Sequence, residues 1–281
     1  MYLQHFGLNQ PPFTITPNTE LFFAGADRGA ILEALDYAVQ HQEGIIKVIG
    51  EVGTGKTMLC RMLAARLREV TVLYVGHPNV SADNIINLLA IEAKLIEMPV
   101  DALMAMQKMQ HWLVQQHQAG QRVAVFIEEA QQMPLATLEQ IRLLSNLETD
   151  QHKLLQIVLF AQPELDDNLA QAQIRQFNER VTQQFYLKPL NRQSAQNYLN
   201  FRVRAAGYHG PDLFNARITR RLHRRSRGLI RRLNILADKT LLAAFSDQTT
   251  RLNLKHVHQA IQDSRPPNHW LRRARQLIAG S

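Results

Sequence analysis

The chain of 281 residues contains one cysteine, Cys60, so no internal disulfide can form, and a reducing compartment suits it. The expected role of Cys60 is that of a small buried apolar side chain on a helix. No run approaches the 18 or so consecutive apolar residues that a membrane-spanning helix needs. Met1–Gln10 lacks a basic stretch followed by an apolar one, so no secretory leader is expected. Internal repeats and low-complexity segments are missing too. No Ser/His/Asp or Cys/His grouping stands near a strand end to suggest nucleophilic chemistry. His256 and His258 lie two apart on an expected helix, where their side chains diverge, which makes them a poor metal pair. Acid is scarce in the last third. Residues 191–281 hold 18 Lys/Arg against 4 Asp/Glu, a net of +14, whereas residues 1–190 hold 14 against 20, a net of −6. So sharp a split implies two modules, the second facing something anionic: nucleic acid, a membrane surface, nucleotide phosphates or the acidic face of a neighbouring subunit.

The apolar fraction of 46% is that of an ordinary globular protein, and the length suits one large domain and a smaller one. Ile45–Ile49, Val72–Val75, Val123–Ile127 and Leu155–Phe160 are short, rich in β-branched residues and free of charge apart from Lys47, and read as buried strands. Helix-length segments separate them. One follows Ser81, a candidate N-cap, with Ile85, Leu88 and Leu89 on one face. Another runs from about Asp101 to Gln118, with Leu103, Met106, Met109 and Leu113 spaced three or four apart. The alternation predicts an α/β fold, a parallel sheet sandwiched by helices. After Asn191 the pattern becomes helical throughout, near 192–206, 214–227, 229–246 and 254–263, with Gly207 and Gly228 as breaks. We therefore expect an α/β domain over 1–190, a small helical lid domain over 191–263 and a basic tail over 264–281.

Gly50-Glu51-Val52-Gly53-Thr54-Gly55-Lys56-Thr57 satisfies G-x-x-x-x-G-K-[ST] in full. Its glycines let backbone N–H groups converge on phosphates without intervening side chains. Lys56 supplies positive charge to the phosphates, and the Thr57 hydroxyl is suited to ligate Mg²⁺. The helix expected from Lys56 to Leu67 turns its positive dipole end toward the anion. The segment from Gly50 to Met58 is thus the candidate site for ATP. Downstream, Val123–Ile127 ends in Glu128 and Glu129. Carboxylates at the tip of a buried parallel strand call for something cationic there. We assign Glu128 to the metal's outer shell and Glu129 to polarising the attacking water. The usual residue at the first position is aspartate, and the extra methylene of Glu128 carries its carboxylate about one bond further out.

Taken together these motifs resemble the ExeA/GspA-type AAA+ ATPases of secretion and type IV pilus systems, most of all their short MshM-type members of mannose-sensitive haemagglutinin pilus biogenesis. Phe6-Gly7-Leu8 with Pro12-Phe13 is similar to the family's opening "FGL..PF". Gly50–Thr57 matches "GEVGTGKT", and Ile127–Gln131 matches "IDEAQ" with Glu for Asp. Phe160–Leu165 is similar to "GQPEL", and Gly228–Leu236 to "GIPRLINIL". The resemblance implies that Gln162 is the polar sensor of the γ-phosphate and that Arg180 is the arginine finger completing a neighbour's site, with Arg175 as its rival. It also implies that Arg231 is the second sensor, on the helical lid, while Arg232 faces solvent or a neighbour. Phe6 and Phe13 are candidates for adenine only by their position before the first strand.

The implied function is ATP hydrolysis by a homo-oligomer, such as a ring, in support of pilus or type II secretion assembly. Its partners would be inner-membrane proteins of that machine, and its place the cytoplasm or the inner-membrane periphery. Two alternatives stand beside it. Eight arginines within 217–232 suit a DNA-handling ATPase of the transposition or initiator type. Glu128 leaves room for an ATP-dependent scaffold with little turnover. The tail from Trp270 to Ile278, with three arginines among apolar residues, suits peripheral contact with an anionic membrane.

Overall fold

The computed structural model describes residues 2–41, 44–149 and 152–264; the tail from Trp270 to Ile278 lies outside them. In chain order the elements are α1 (Tyr2–His5), α2 (Arg28–His41), β1 (Ile45–Ile49), α3 (Lys56–Arg66), β2 (Val70–Val75), α4 (Ala82–Glu92), α5 (Ala102–Gln118) and β3 (Arg122–Glu128). Then come α6 (Leu135–Leu144), β4 (Gln156–Ala161), α7 (Glu164–Leu169), α8 (Arg175–Asn178), β5 (Val181–Tyr186), α9 (Arg192–Ala205), α10 (Ala216–Ser226), α11 (Ile230–Ser246) and α12 (Leu254–Asp263).

Contacts divide the chain into two units, Ala24–Lys188 and a second made of Met1–Phe23 with Pro189 onward. The first is the α/β unit, whose five strands pair in the order β2-β3-β4-β1-β5, every pair parallel. Parallel strands need covering on both faces, and β1 and β4 are accordingly buried along their whole length. Lys47 is the charged exception inside β1. It reaches Asp166 at the start of α7, Nζ to Oδ1 2.7 Å, which keeps the buried ammonium paired. The fifth strand was not expected from the sequence. Val-Thr-Gln-Gln-Phe-Tyr alternates half-buried and exposed positions along a sheet edge, so it lacks the apolar run that marks β1 and β4. On α5 the buried positions are Ala105, Met109 and Leu113. That choice turns Leu103 outward at 66% exposure and corrects the expectation that it shares the inward face.

The second unit is helical, and its core is built by α9 to α12 together with the chain's first residues. The expected module 1–190 is corrected here at its start, for a physical reason. The Asn9 N–H donates to the Ala206 carbonyl at 2.8 Å, Arg202 Nε to Pro12 O at 2.7 Å, and Asn234 Nδ2 to Thr14 O at 3.1 Å. Phe13 meets Phe214 edge-on at 5.6 Å between ring centroids. Phe6 and Phe13 are 4% and 5% exposed, so both are core residues of the helical unit. Gly228 separates α10 from α11 at a φ of +75°, and a Cβ there would stand 2.1 Å from the Leu190 carbonyl oxygen. Only glycine fits that turn. His256 is fully buried and accepts the Asn253 N–H on Nδ1 at 3.2 Å, closing a capping box on α12, while His258 is exposed.

Candidate functional site

Parallel topology brings the C-terminal ends of β1, β3 and β4 side by side. From those ends issue the loop Gly50–Gly55, the pair Glu128–Glu129, and Gln162, the first residue beyond β4. This edge is where an open α/β sheet binds ligands.

The loop leaves β1 and enters α3 through Gly53 at a φ of +84° and Gly55 at +106°. A Cβ at Gly50 would fall 2.7 Å from Thr54 Oγ1 and 2.9 Å from the Leu187 carbonyl oxygen, so the loop closes that tightly only with glycine there. Among the described residues the N–H groups of Gly53, Gly55, Lys56 and Thr57 find no acceptor within the chain. Together with the N-terminal end of α3, they form a cradle for an anion. Lys56 is 7% exposed and bends over the loop, its Nζ 2.6 Å from Gly50 O and 3.3 Å from Glu51 O. Burial pulls its ammonium below the ordinary lysine range, against the opposite pull of Glu129, Glu128, Glu51 and Glu164. A phosphate would return the charge compensation that burial removes, so the donor set fits a nucleotide's phosphates. Glu51 and Val52 lie exposed at the mouth of the loop, and Met58 is half-buried on the first turn of α3.

The two carboxylates are held by different donors. Glu128, 6% exposed, accepts the Thr57 hydroxyl on Oε2 at 2.6 Å and the Tyr74 hydroxyl on Oε1 at 2.7 Å. Burial first, then the nearby Glu128 charge, hold the Cys60 thiol well above its ordinary range, so it stays protonated. Cys60 is buried on α3, as the sequence suggests. A carboxylate and a hydroxyl 2.6 Å apart at the loop's edge form a hard oxygen donor set that fits Mg²⁺. Glu129 sits in the left-handed region, φ 52° and ψ 37°, a strained backbone of the kind concentrated at working sites. Its Oε2 accepts from Gln131 Nε2 at 2.7 Å and from Gln162 Nε2 at 3.1 Å. The Gln162 N–H in turn donates to Gln131 Oε1 at 3.0 Å. Gln162 is thus hydrogen-bonded to the second carboxylate.

Arg180 is elsewhere. It precedes β5, and its carbonyl accepts the Ile45 N–H at 2.9 Å, at the opening end of β1. The five residues of β1 separate that end from Gly50, about 16 Å at 3.3 Å per residue. Its side chain is exposed, and so is that of Arg175 on α8. Arg231 and Arg232 belong to the helical unit, both exposed on the first turn of α11.

Sequence reasoning missed three residues of this site. Arg28, first in α2 and 5% exposed, donates through Nη2 to Thr54 O and to Lys188 O, each at 3.1 Å, and so braces the loop. Tyr74 on β2 reaches Glu128, and Gln131 bridges Glu129 to the end of β4. A motif-adjacent glutamine was visible as a residue type. Arg28 and Tyr74 carry no local signal, because folding alone brings them to the site.

These features define a P-loop ATPase of the AAA class. Residues 39–169 match the family described as an AAA domain. The chain is 38% identical over 252 residues to general secretion pathway protein A of Aeromonas hydrophila, a match covering 88% of this chain and 45% of that protein. It belongs with the ExeA/GspA-type AAA ATPases and spans less than half the length of that relative. Solved structures share the fold. Drosophila ORC bound to DNA aligns with a TM-score of 0.69 at 15% identity, over 96% of this chain and 67% of that one. Cdc6p of Pyrobaculum aerophilum aligns at 0.65 and 15%, over 92% and 74%. ORC2 of Aeropyrum pernix, in ADPNP–ADP complexes, aligns at 0.63 and 15%, over 91% and 74%. No helix among the described residues is long and apolar enough to cross a membrane.

Proposed function

We propose that the chain binds ATP with Mg²⁺ at Gly50–Met58 and hydrolyses it as a homo-oligomer, in support of assembly of a type II secretion or MSHA-like pilus machine at the cytoplasmic side of the inner membrane. The observation that carries this reading is the separation of Arg180 from the loop by the length of β1. A finger at that end serves a neighbour's phosphates and not its own. Lys56 and the loop N–H groups hold the phosphates, and Thr57 with Glu128 holds the metal. A bound Mg²⁺ would supply positive charge there to offset that of the phosphates. Glu129 accepts hydrogen bonds from the Gln131 and Gln162 amides and is set to orient and polarise a water. Gln162 is then the residue that couples the γ-phosphate position to Glu129, and Arg231 the second sensor. The test is complementation. Lys56→Ala and Arg180→Ala are each inactive alone, and mixing them restores a fraction of turnover if the finger acts across subunits. A mixture as inactive as its components contradicts the reading.

A second reading, a DNA-handling ATPase, is favoured by one observation. Arg217, Arg220, Arg221, Arg224 and Arg225 are all exposed on α10, which carries no acid, and none has an ion-pair partner among the described residues. Like charges at i,i+4 cost a helix a few tenths of a kcal/mol each, which a polyanion would offset. Duplex binding that weakens steeply with salt, and is lost when Arg220 and Arg224 become glutamine, would favour this second role.

A further inference from the structure

We propose that Tyr74 is a positioning residue for the metal-side carboxylate, its hydroxyl holding the longer Glu128 side chain in the orientation from which it meets Thr57. The inference rests on the reading of this edge as a magnesium–nucleotide site.

Three observations carry it. First, the geometry suits a tyrosine. Tyr74 pairs with Phe126 across β2 and β3, so Glu128, two residues on, projects from the same face as a diagonal neighbour. Diagonal neighbours stand about 7–8 Å apart, within reach of a long aromatic side chain but not of a small one. Second, both carboxylate oxygens are occupied, Oε1 by Tyr74 at 2.7 Å and Oε2 by Thr57 at 2.6 Å. Two donors on opposite oxygens fix the plane of the group. A glutamate has one more rotatable bond than the usual aspartate, and the hydroxyl removes the freedom that this bond adds. Third, the structure leaves room for the ring. Gly76 has no side chain at the place where a Cβ would come within 3.2 Å of Tyr74 Cε1. The core does not need Tyr74 for packing, since the residue is 44% exposed.

The experiment measures the affinity of a fluorescent ATP analogue with Mg²⁺ and with EDTA, for the parent chain, Tyr74→Phe, Glu128→Asp and the double variant. Phenylalanine keeps the ring, and the side chain is half outside the core, so the variant keeps its fold; circular dichroism verifies that. In the parent, Mg²⁺ tightens binding. Tyr74→Phe reduces that gain by about tenfold, the weight of one hydrogen bond to a charged group, while the EDTA affinity serves as the control. In the Glu128→Asp background the same change costs nothing further, because the shorter carboxylate is beyond the hydroxyl's reach. Gly76→Ala, which pushes the ring by a few tenths of an ångström, gives an intermediate loss. A parent chain indifferent to Mg²⁺ would sink the site reading and this proposal with it. A parent that responds, with Tyr74→Phe responding equally, overturns the positioning role alone. So does a Tyr74→Phe variant that loses metal-free affinity to the same degree, or a tenfold loss that persists in the double variant, where the carboxylate is out of reach.

Discussion

Replacing Arg28 by alanine removes a brace that no motif reveals, and its cost can be worked out from its contacts. The guanidinium donates to the carbonyls of Ala26, Thr54 and Lys188, each at 3.1 Å. The Thr54 carbonyl lies in a fully buried residue, and leaving such a group without a donor costs about 1–3 kcal/mol. The other two carbonyls are partly accessible and recover water, so each loses about 1 kcal/mol. Relief of the buried charge's own desolvation offsets part of the sum, leaving about 3 kcal/mol. For a unit of about 165 residues, Ala24–Lys188, each kcal/mol moves the melting temperature by about 2–4 °C. The transition of the α/β unit in scanning calorimetry should therefore fall by roughly 6–12 °C. Nucleotide affinity should fall with it, because Thr54 is part of the phosphate loop. Arg28→Lys keeps the charge but not the planar fork and should recover only part of the loss. An alanine variant that melts within about 1 °C of the parent and binds nucleotide equally would refute the bracing role.

Three further outcomes are expected. Glu129→Gln keeps nucleotide affinity and loses at least about a hundredfold in phosphate release, as for removal of a general base; a parallel loss of affinity would contradict its role. Gly228→Ala forces a Cβ to within 2.1 Å of the Leu190 carbonyl oxygen at a φ of +75°, and should cost the helical unit about 3 kcal/mol or more, read as a lowered thermal transition. Asp247 is held below the ordinary carboxylate range, chiefly by its hydrogen bond from Lys255. A depressed folded pKa gives stability that is present above the unfolded value of about 3.9 and is lost as pH falls through the folded one. Asp247→Asn should therefore flatten acid unfolding of the helical unit below about pH 4, and identical acid limbs would contradict the pairing.

How much of this was legible depends on the kind of constraint. The phosphate loop and the acidic strand tip could be read directly, because phosphate and metal chemistry demand fixed residue types at fixed spacing. β1 and β4 were legible because burial on both faces leaves an unbroken apolar run. β5 was not, since an edge strand needs only alternation and tolerates Thr182, Gln183 and Gln184. Leu103 misled because helical spacing marks several faces, and only the fold chooses the one through Ala105, Met109 and Leu113. The docking of residues 1–23 onto the helical unit rests on scattered carbonyls such as Pro12 O and Thr14 O, which leave no trace in side-chain pattern. Arg28 and Tyr74 escaped for the same reason. The parts assigned to Gln162 and Arg180 came from family resemblance, and the structure adds where each one stands.

Hydrolysis, on the reading proposed above, belongs to an assembly of chains and not to the single chain. It is tested most directly by ATP turnover per chain across a wide range of protein concentration, with Lys56→Ala as the blank and with duplex DNA added in a parallel series. Turnover should rise cooperatively with concentration, be indifferent to DNA and vanish in the blank. Turnover per chain that stays constant down to concentrations where sedimentation finds only monomer would contradict it.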